Sequence, residues 1–257
     1  MSADEHHATK DVPAVSRAVA ILDLAARSDE PLTLADVARA LGLPKSSAHG
    51  LCATLANLGL LRRRGGAFVL GGHVMRWANA FAARSDVAEE FSRLWDETPA
   101  LRVETLTLTI LDGADVVYIA SRHGEDPLGI TFRIGMRLPA AFTATGKAML
   151  STMEINEVRG LYRRGLPAPM TERTVRTLDV LEEELDEVRR RGFSIDDHQV
   201  RDGMVCVGAP VFDFSGERAI GGFAISILDP NVETDRIATL GADVIRYARL
   251  LSQRLGS

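Results

Sequence analysis

The chain has 257 residues, 46% of them hydrophobic and 25% charged, and a formal net charge of −5. This is the composition of a globular protein of about two domains, and the acidity excludes indiscriminate binding to nucleic acid. No apolar run approaches a membrane span, and the two cysteines, Cys52 and Cys206, form no CxxC pair, which argues against structural zinc and a disulfide framework.

The N-terminal stretch MSADEHHATKD is polar and has no basic-then-apolar leader, so we expect a tail over residues 1–12 and a cytoplasmic protein. His6 and His7 fall in that tail and carry no site. Residues 14–27 predict a helix whose apolar face is Val15, Ala18, Val19, Leu22 and Ala25.

Residues 33–72 are the most informative stretch. Thr33 is a helix cap, and Leu34, Val37, Ala38 and Leu41 then fall on one helical face, with Gly42 ending the helix. Pro44 starts a second helix, in which Ala48, Leu51, Cys52, Leu55 and Leu58 form the inward stripe. Lys45, Ser46, Ser47, His49, Gly50, Thr54 and Asn57 are left on the opposite face. Gly59 ends that helix. Leu60 and Leu61 open a strand, Arg62-Arg63-Arg64 leads to the turn Gly65-Gly66, and Ala67 to Leu70 return. Two short helices joined at a glycine, followed by a hairpin, are the pattern of a winged helix-turn-helix, whose second helix enters the DNA major groove.

The outward side chains suit that role. Lys45, Ser46, Ser47, His49 and Thr54 can reach base edges or phosphates, and Arg62, Arg63 and Arg64 suit a phosphate backbone or a narrow minor groove. The charge distribution agrees. The 49 residues between Asp36 and Asp86 contain no acid and carry +7, which leaves −12 on the other 208. A basic module on an acidic body is the footprint of a specific binder of double-stranded operator DNA.

Helical patterning resumes at His73 and runs to about Trp95, interrupted near Ser85-Asp86. We read residues 73–97 as a linker helix and part of a dimer contact. A further core helix of the second domain is the competing reading. From about residue 101 the period becomes two. LRVETLTLTIL to Leu111 predicts a strand, Asp115 to Ser121 its hairpin partner, and Leu128 to Arg133 a third strand. A helix is predicted over about Gly146 to Met153. Another covers residues 178–191, with early acids and Arg189, Arg190 and Arg191 late, matching the helix dipole. Strands Val205 to Phe212 and Ala219 to Leu228 and a last helix, Thr234 to Leu255, complete an antiparallel sheet with packed helices, an α+β domain.

With these elements in place, the chain resembles the IclR family of transcriptional regulators. The likeness is carried by LGLPKSSAHGLCATLANLGLLRR with FVLGG, by GMRLPAAFTATGKAMLS, by TVRTLDVLEEELDEVRRRGFSIDD, and by DGMVCVGAPVFDFSG with AIGGFAISI. The resemblance implies a winged helix-turn-helix domain over 13–72, the linker helix over 73–97, and a GAF-like effector domain over 98–257. It also implies dimers, often paired as tetramers, that respond to a small-molecule effector, a small organic acid or aromatic metabolite. The matching pocket positions look like Ala144, Thr145, Gly146, Asp196, Cys206 and Ser226, with Ile130 as an apolar wall. A loop ending in Thr145-Gly146 at a helix start suits an organic acid.

Four departures bear on specificity. Leu228 stands where some relatives have a second serine, which points to a ligand larger or more apolar than glyoxylate or pyruvate. His198 and Gln199 replace two acids, Ala141 replaces a histidine, and Gly50 replaces an arginine of many recognition helices. An enzyme is the competing class, with Asp196, Asp197 and His198 as metal ligands or Cys206 as a nucleophile. Consecutive residues of an extended segment point alternately, so those three do not converge on one ion. Cys206 within VCVGA reads as a buried small hydrophobe. Lys147 lacks the spacing of a phosphate loop. We therefore expect no catalysis, no metal, no cofactor and no membrane partner.

Overall fold

The computed structural model describes residues 12–82, 86–98, 104–124, 132–213 and 215–256. The tail read over residues 1–12 thus lies, apart from Val12, outside the described residues. The chain divides into two compact units, Met1–Arg84 and Ser85–Ser257.

The first unit runs α1 (Pro13–Arg27), α2 (Leu34–Ala40), α3 (Lys45–Asn57), β1 (Leu61–Arg64), β2 (Ala67–Leu70) and α4 (His73–Ala82). Thr33 opens α2 with a reciprocal cap. Its hydroxyl accepts from the Asp36 N–H at 3.2 Å, and the Asp36 carboxylate accepts from the Thr33 N–H at 3.0 Å. Ile21, Val37, Ala48, Cys52, Leu55, Leu60, Leu61 and Phe68 make the core. Three expected core residues are not in it. Val15 and Val19 are 61% and 51% exposed, because α1 meets α3 through the Ala18, Ile21, Leu22 and Ala25 stripe instead. Leu58 is also exposed, since α3 ends there and the chain turns inward at Leu60 and Leu61. The wing is a two-residue hairpin whose Gly65 and Gly66 have φ of 57° and 82°, a pair of left-handed conformations that L side chains resist.

The second unit runs α5 (Asp86–Glu97), β3 (Thr105–Asp112), β4 (Asp115–Arg122), β5 (Arg137–Pro139), α6 (Ala144–Leu150), α7 (Ile155–Leu161), α8 (Leu178–Arg191), β6 (Ser194–Asp197), β7 (Met204–Phe212), β8 (Ala219–Leu228) and α9 (Thr234–Arg254). Its strands form an antiparallel six-stranded sheet in the order β5-β4-β3-β8-β7-β6. Both faces are covered. Leu106, Leu108, Val205, Val207, Phe223 and Ile225 pack with α5 and α9, while Tyr118, Met204 and Cys206 pack with α6, α7 and α8. The period of two sends Thr105, Thr107 and Thr109 to the face opposite Leu106 and Leu108, so polar and apolar residues of β3 are buried alike.

Three stretches of the chain bear on the sequence reading. The stretch read as a linker and interrupted near Ser85-Asp86 carries α4 and α5, and residues 83–85 between them lie outside the described residues. Val87, Phe91 and Leu94 of α5 are buried in the second unit's core, where Phe91 meets Phe223 at 5.8 Å between ring centroids. The sheet includes β5, a short strand that the sequence reading did not contain. Of the strand expected from Leu128 to Arg133, residues 128–131 lie outside the described residues, and Phe132 stacks on Tyr118 at 5.0 Å without joining the ladder. The segment Ser194–Asp197, to which the sequence reading assigned no element, is strand β6. Two consecutive acids are poor strand formers, but pairing with β7 overrides propensity.

Candidate nucleic-acid interface and buried cavity

The outward face of α3 is built by its inward one. Ala48, Cys52 and Leu55 recur at helical spacing and are buried, which leaves Lys45, Ser46, His49 and Thr54 exposed and Ser47 half-buried. The Thr54 hydroxyl donates to the Gly50 carbonyl at 2.9 Å, so its own helix already uses its proton. In the wing, Arg62, Arg63 and Arg64 are exposed. Alternation puts Arg62 and Arg64 on one face and Arg63 on the other, where its guanidinium lies 5.8 Å from the Phe68 ring. Among the described residues, none of Lys45, Arg62, Arg63 and Arg64 is ion-paired, so each is available to an external anion.

In the second unit, the cross-strand register aligns Asp196, Cys206, Ser226 and Thr105 as successive partners across β6, β7, β8 and β3. Helix α6 lies over this row. Its close seat depends on missing side chains: a Cβ on Gly208 would fall 2.7 Å from the Ala144 carbonyl oxygen, and one on Gly222 would fall 2.7 Å from that of Thr145. Between helix and sheet is a cavity of about 10 Å³, lined by Thr107, Tyr118, Thr143, Ala144, Thr145, Asp196, Val200, Met204, Cys206, Ala224 and Ser226. That volume is about the space one water needs.

Five of the residues singled out from sequence, Ala144, Thr145, Asp196, Cys206 and Ser226, line this cavity. Gly146 does not; a Cβ there would fall 2.2 Å from the Ala140 carbonyl oxygen, and its N–H is taken by the Thr143 hydroxyl at 3.1 Å. The expected open helix start is thus a buried, partly satisfied one. Leu228 is 48% exposed at the end of β8 and does not line the cavity, so its bulk takes no space there. Ile130 lies outside the described residues. Sequence reasoning missed Thr107, Tyr118, Thr143, Val200, Met204 and Ala224. The Thr alternation of LTLTI was the available signal for the first of these.

The electrostatics follow from burial. Asp196 is 1% exposed, and its Oδ1 accepts N–H bonds from Gln199 at 2.8 Å and Val200 at 3.2 Å. Desolvation pushes its carboxyl up to about 6, against the attraction of Lys147 and the two N–H donors. Burial, reinforced by the Asp196 charge, holds the Cys206 thiol well above its usual range, so it is not a ready nucleophile. Lys147 is buried and bonded through Nζ to Glu184 Oε2 at 2.7 Å. Glu184 Oε1 accepts from Gln199 Nε2 at 2.8 Å, while Gln199 Oε1 finds no partner. Thr145 Oγ1, on the cavity wall, is buried without a hydrogen-bond partner as well. Among the described residues no group of three or more His, Cys, Asp or Glu is placed to hold a metal ion, and no helix is long and apolar enough to cross a membrane.

A winged helix-turn-helix with free cations, joined in one chain to a sheet domain enclosing a polar cavity, defines a ligand-responsive transcription factor. Comparison with known proteins agrees. The family described as "IclR helix-turn-helix domain" matches residues 14–65, and that described as "Bacterial transcriptional regulator IclR C-terminal" matches residues 79–253. The chain belongs to the IclR family of transcriptional regulators, with an N-terminal DNA-binding domain and a C-terminal effector-binding domain; these are regulators, not enzymes. It is 30% identical over 260 residues to the transcriptional repressor IclR of Escherichia coli, covering 97% of this chain and 92% of that one. It is 30% identical over 245 residues to the regulator BhcR of Paracoccus denitrificans, covering 94% and 86%. Among solved structures, the repressor BlcR of Agobacterium tumefaciens is 47% identical, with a TM-score of 0.64, covering 95% of this chain and 98% of that one.

Proposed function

We propose that this regulator acts as a cytoplasmic homodimer, or a pair of dimers, that places two α3 helices on a roughly palindromic operator. Lys45, Ser46, Ser47, His49 and Thr54 meet base edges and phosphates, and Arg62 and Arg64 meet the backbone or minor groove beside them, with Arg63 held against the Phe68 ring. The observation that carries this is the set of unpaired cations on α3 and the wing, within a stretch free of acids. Repression is the favoured sign, because the IclR and BlcR relatives are both named repressors.

The effector is a small organic acid or aromatic metabolite, held in the cavity by Ala144, Thr145, Asp196, Cys206 and Ser226. Thr145 supports this reading, since a buried hydroxyl without a partner is costly unless something fills the site. The cavity has room for about one water, so an effector must displace part of the wall. Helix α6 is wedged on Gly208 and Gly222, so the displacement falls elsewhere in the wall. Opening gives the ligand two protein states to discriminate, and that difference in affinity is what regulation requires. Residues 13–72, 73–97 and 98–257 then serve as reader, connection and sensor.

The test is binding of the full chain to duplex DNA flanking its own coding region, against random duplex, over a range of salt. Tight, salt-sensitive, sequence-preferring binding is expected, followed by release when the right acid is added. Equal binding to random duplex at every salt concentration would reject the operator reading.

A further inference from the structure

The cavity has an odd charge for a receptor of acids. Among its described lining residues Asp196 carries the one carboxyl, and none is a lysine, arginine or histidine. The groups around Asp196 are accounted for. From α6, Lys147 attracts it but is committed to Glu184 of α8. On β6 itself, Asp197 repels it and is paired with Arg173 at 3.0 Å, with His198 Nε2 lying 3.3 Å from its other oxygen. From β7 and β4, the Cys206 thiol and the Tyr118 phenol are both held in their neutral forms, first by burial. Lys147, Glu184 and Asp196 together therefore carry one net negative charge. A ligand carboxylate would add a second beside a fully buried first, and two carboxylates in one dry site do not both stay ionised.

We propose that Asp196 makes the site a proton-coupled receptor for monocarboxylates: the ligand's carboxylate enters together with one proton, and Asp196, as a neutral acid, donates a hydrogen bond to it. This rests on the reading of the cavity as the effector site. The Thr145 hydroxyl, buried and without a partner, supplies a second donor to the same carboxylate. The proton balance is simple. Above pH 6 Asp196 is mostly ionised in the empty protein, so the proton comes from solvent and the complex keeps one net negative charge at the site. A neutral ligand that donated to ionised Asp196 would show the opposite dependence, weakening at low pH.

The experiment is isothermal titration of the full chain with propionate, butyrate and benzoate, and with their amides as neutral isosteres. It is run from about pH 6 to 8.5, in buffers of different ionisation heat. For the carboxylates, affinity is expected to fall by about tenfold per pH unit above Asp196's midpoint, with one proton taken up. Asp196→Asn, which keeps a neutral donor, should bind the same carboxylate with a flat profile. Thr145→Val should bind several-fold more weakly with the slope unchanged, which separates loss of a donor from loss of the proton. Carboxylate binding with a flat profile and no proton uptake in the wild type, or affinity rising with pH, overturns the proposal while leaving the cavity reading intact. Failure of every probe to bind a folded wild type at any pH overturns the cavity reading and this inference with it.

Discussion

Gly222 of β8 lies directly beneath Thr145 of α6, so close that a Cβ on Gly222 would fall 2.7 Å from the Thr145 carbonyl oxygen and 2.8 Å from its Cβ. The clash is with backbone, which cannot swing away. Gly222→Ala should lift α6 off the sheet and destabilise the second unit by about 1–3 kcal/mol, the usual range for overpacking. Gly160, inside α7, has open space where its Cβ would be, and Gly160→Ala should instead stabilise by about 0.5–1 kcal/mol through helix propensity. Thermal unfolding of the two variants should shift in opposite directions; the same sign for both would refute this account.

How much of this was legible follows from the kind of signal each element leaves. The winged helix was readable because its periodicity, its glycines and its arginines are local. The row Asp196, Cys206 and Ser226 was reached only through resemblance, since its members meet by register between strands distant in sequence. Strand β6 escaped because SIDD has neither alternation nor β-branched density, and β5 because three residues ending in proline leave no period. Leu228 was matched by position to the pocket, yet it stands beyond the sheet's covered end, where spacing along β8 carries no information about cover. The face of α1 was misjudged by one row. Val15 and Val19 satisfy a helical period as well as Ile21 does, and only packing chooses between them.

The wing arginines should not act as three equal contacts. Arg62 and Arg64 share the face opposite Arg63, which pairs across the hairpin with Phe68. Replacing Arg62 and Arg64 together with Ala should reduce the log–log salt slope of DNA binding by nearly two, at about 0.9 per phosphate contact. Arg63→Ala should leave the slope nearly unchanged and cost the hairpin about 0.5–1 kcal/mol of cation–π contact. Anisotropy titrations at several salt concentrations separate the two. A slope change from Arg63→Ala as large as that of the double variant would count decisively against the alternation argument.

The cap of α2 gives a prediction about the first unit alone. Thr33 and Asp36 satisfy each other's backbone N–H groups, and the hydrogen bond from the Thr33 side chain holds the Asp36 carboxyl below its ordinary value. Thr33→Ala removes that bond and should lower the unit's stability by about 1 kcal/mol. Because the Asp36 carboxyl is depressed, its contribution is present at neutral pH and fades as the pH falls through the carboxylate range. The deficit of Thr33→Ala relative to wild type should therefore be smaller in acid than at neutral pH. Urea unfolding at two pH values measures it, and a deficit independent of pH would separate the cap from the Asp36 charge.

Asp196 predicts a pH dependence of opposite sign, in the absence of any ligand. Its carboxyl is raised from 3.8 to about 6 in the folded state, so folding binds the proton more tightly than the unfolded chain does. The favourable contribution is complete below the unfolded value and is lost as the pH rises through about 6. Between those limits the loss is on the order of 3 kcal/mol, which the fold carries at neutral pH as the cost of a buried charge. Asp196→Asn keeps an oxygen to accept from Gln199 and Val200 and has no charge to bury. It should therefore be more stable than wild type at pH 8 and lose that advantage toward pH 5. Chemical unfolding of both proteins across that range gives the comparison, in which the other titrating groups cancel. A constant difference between them would mean that Asp196 does not titrate there, and the charge argument for the cavity would lose its foundation.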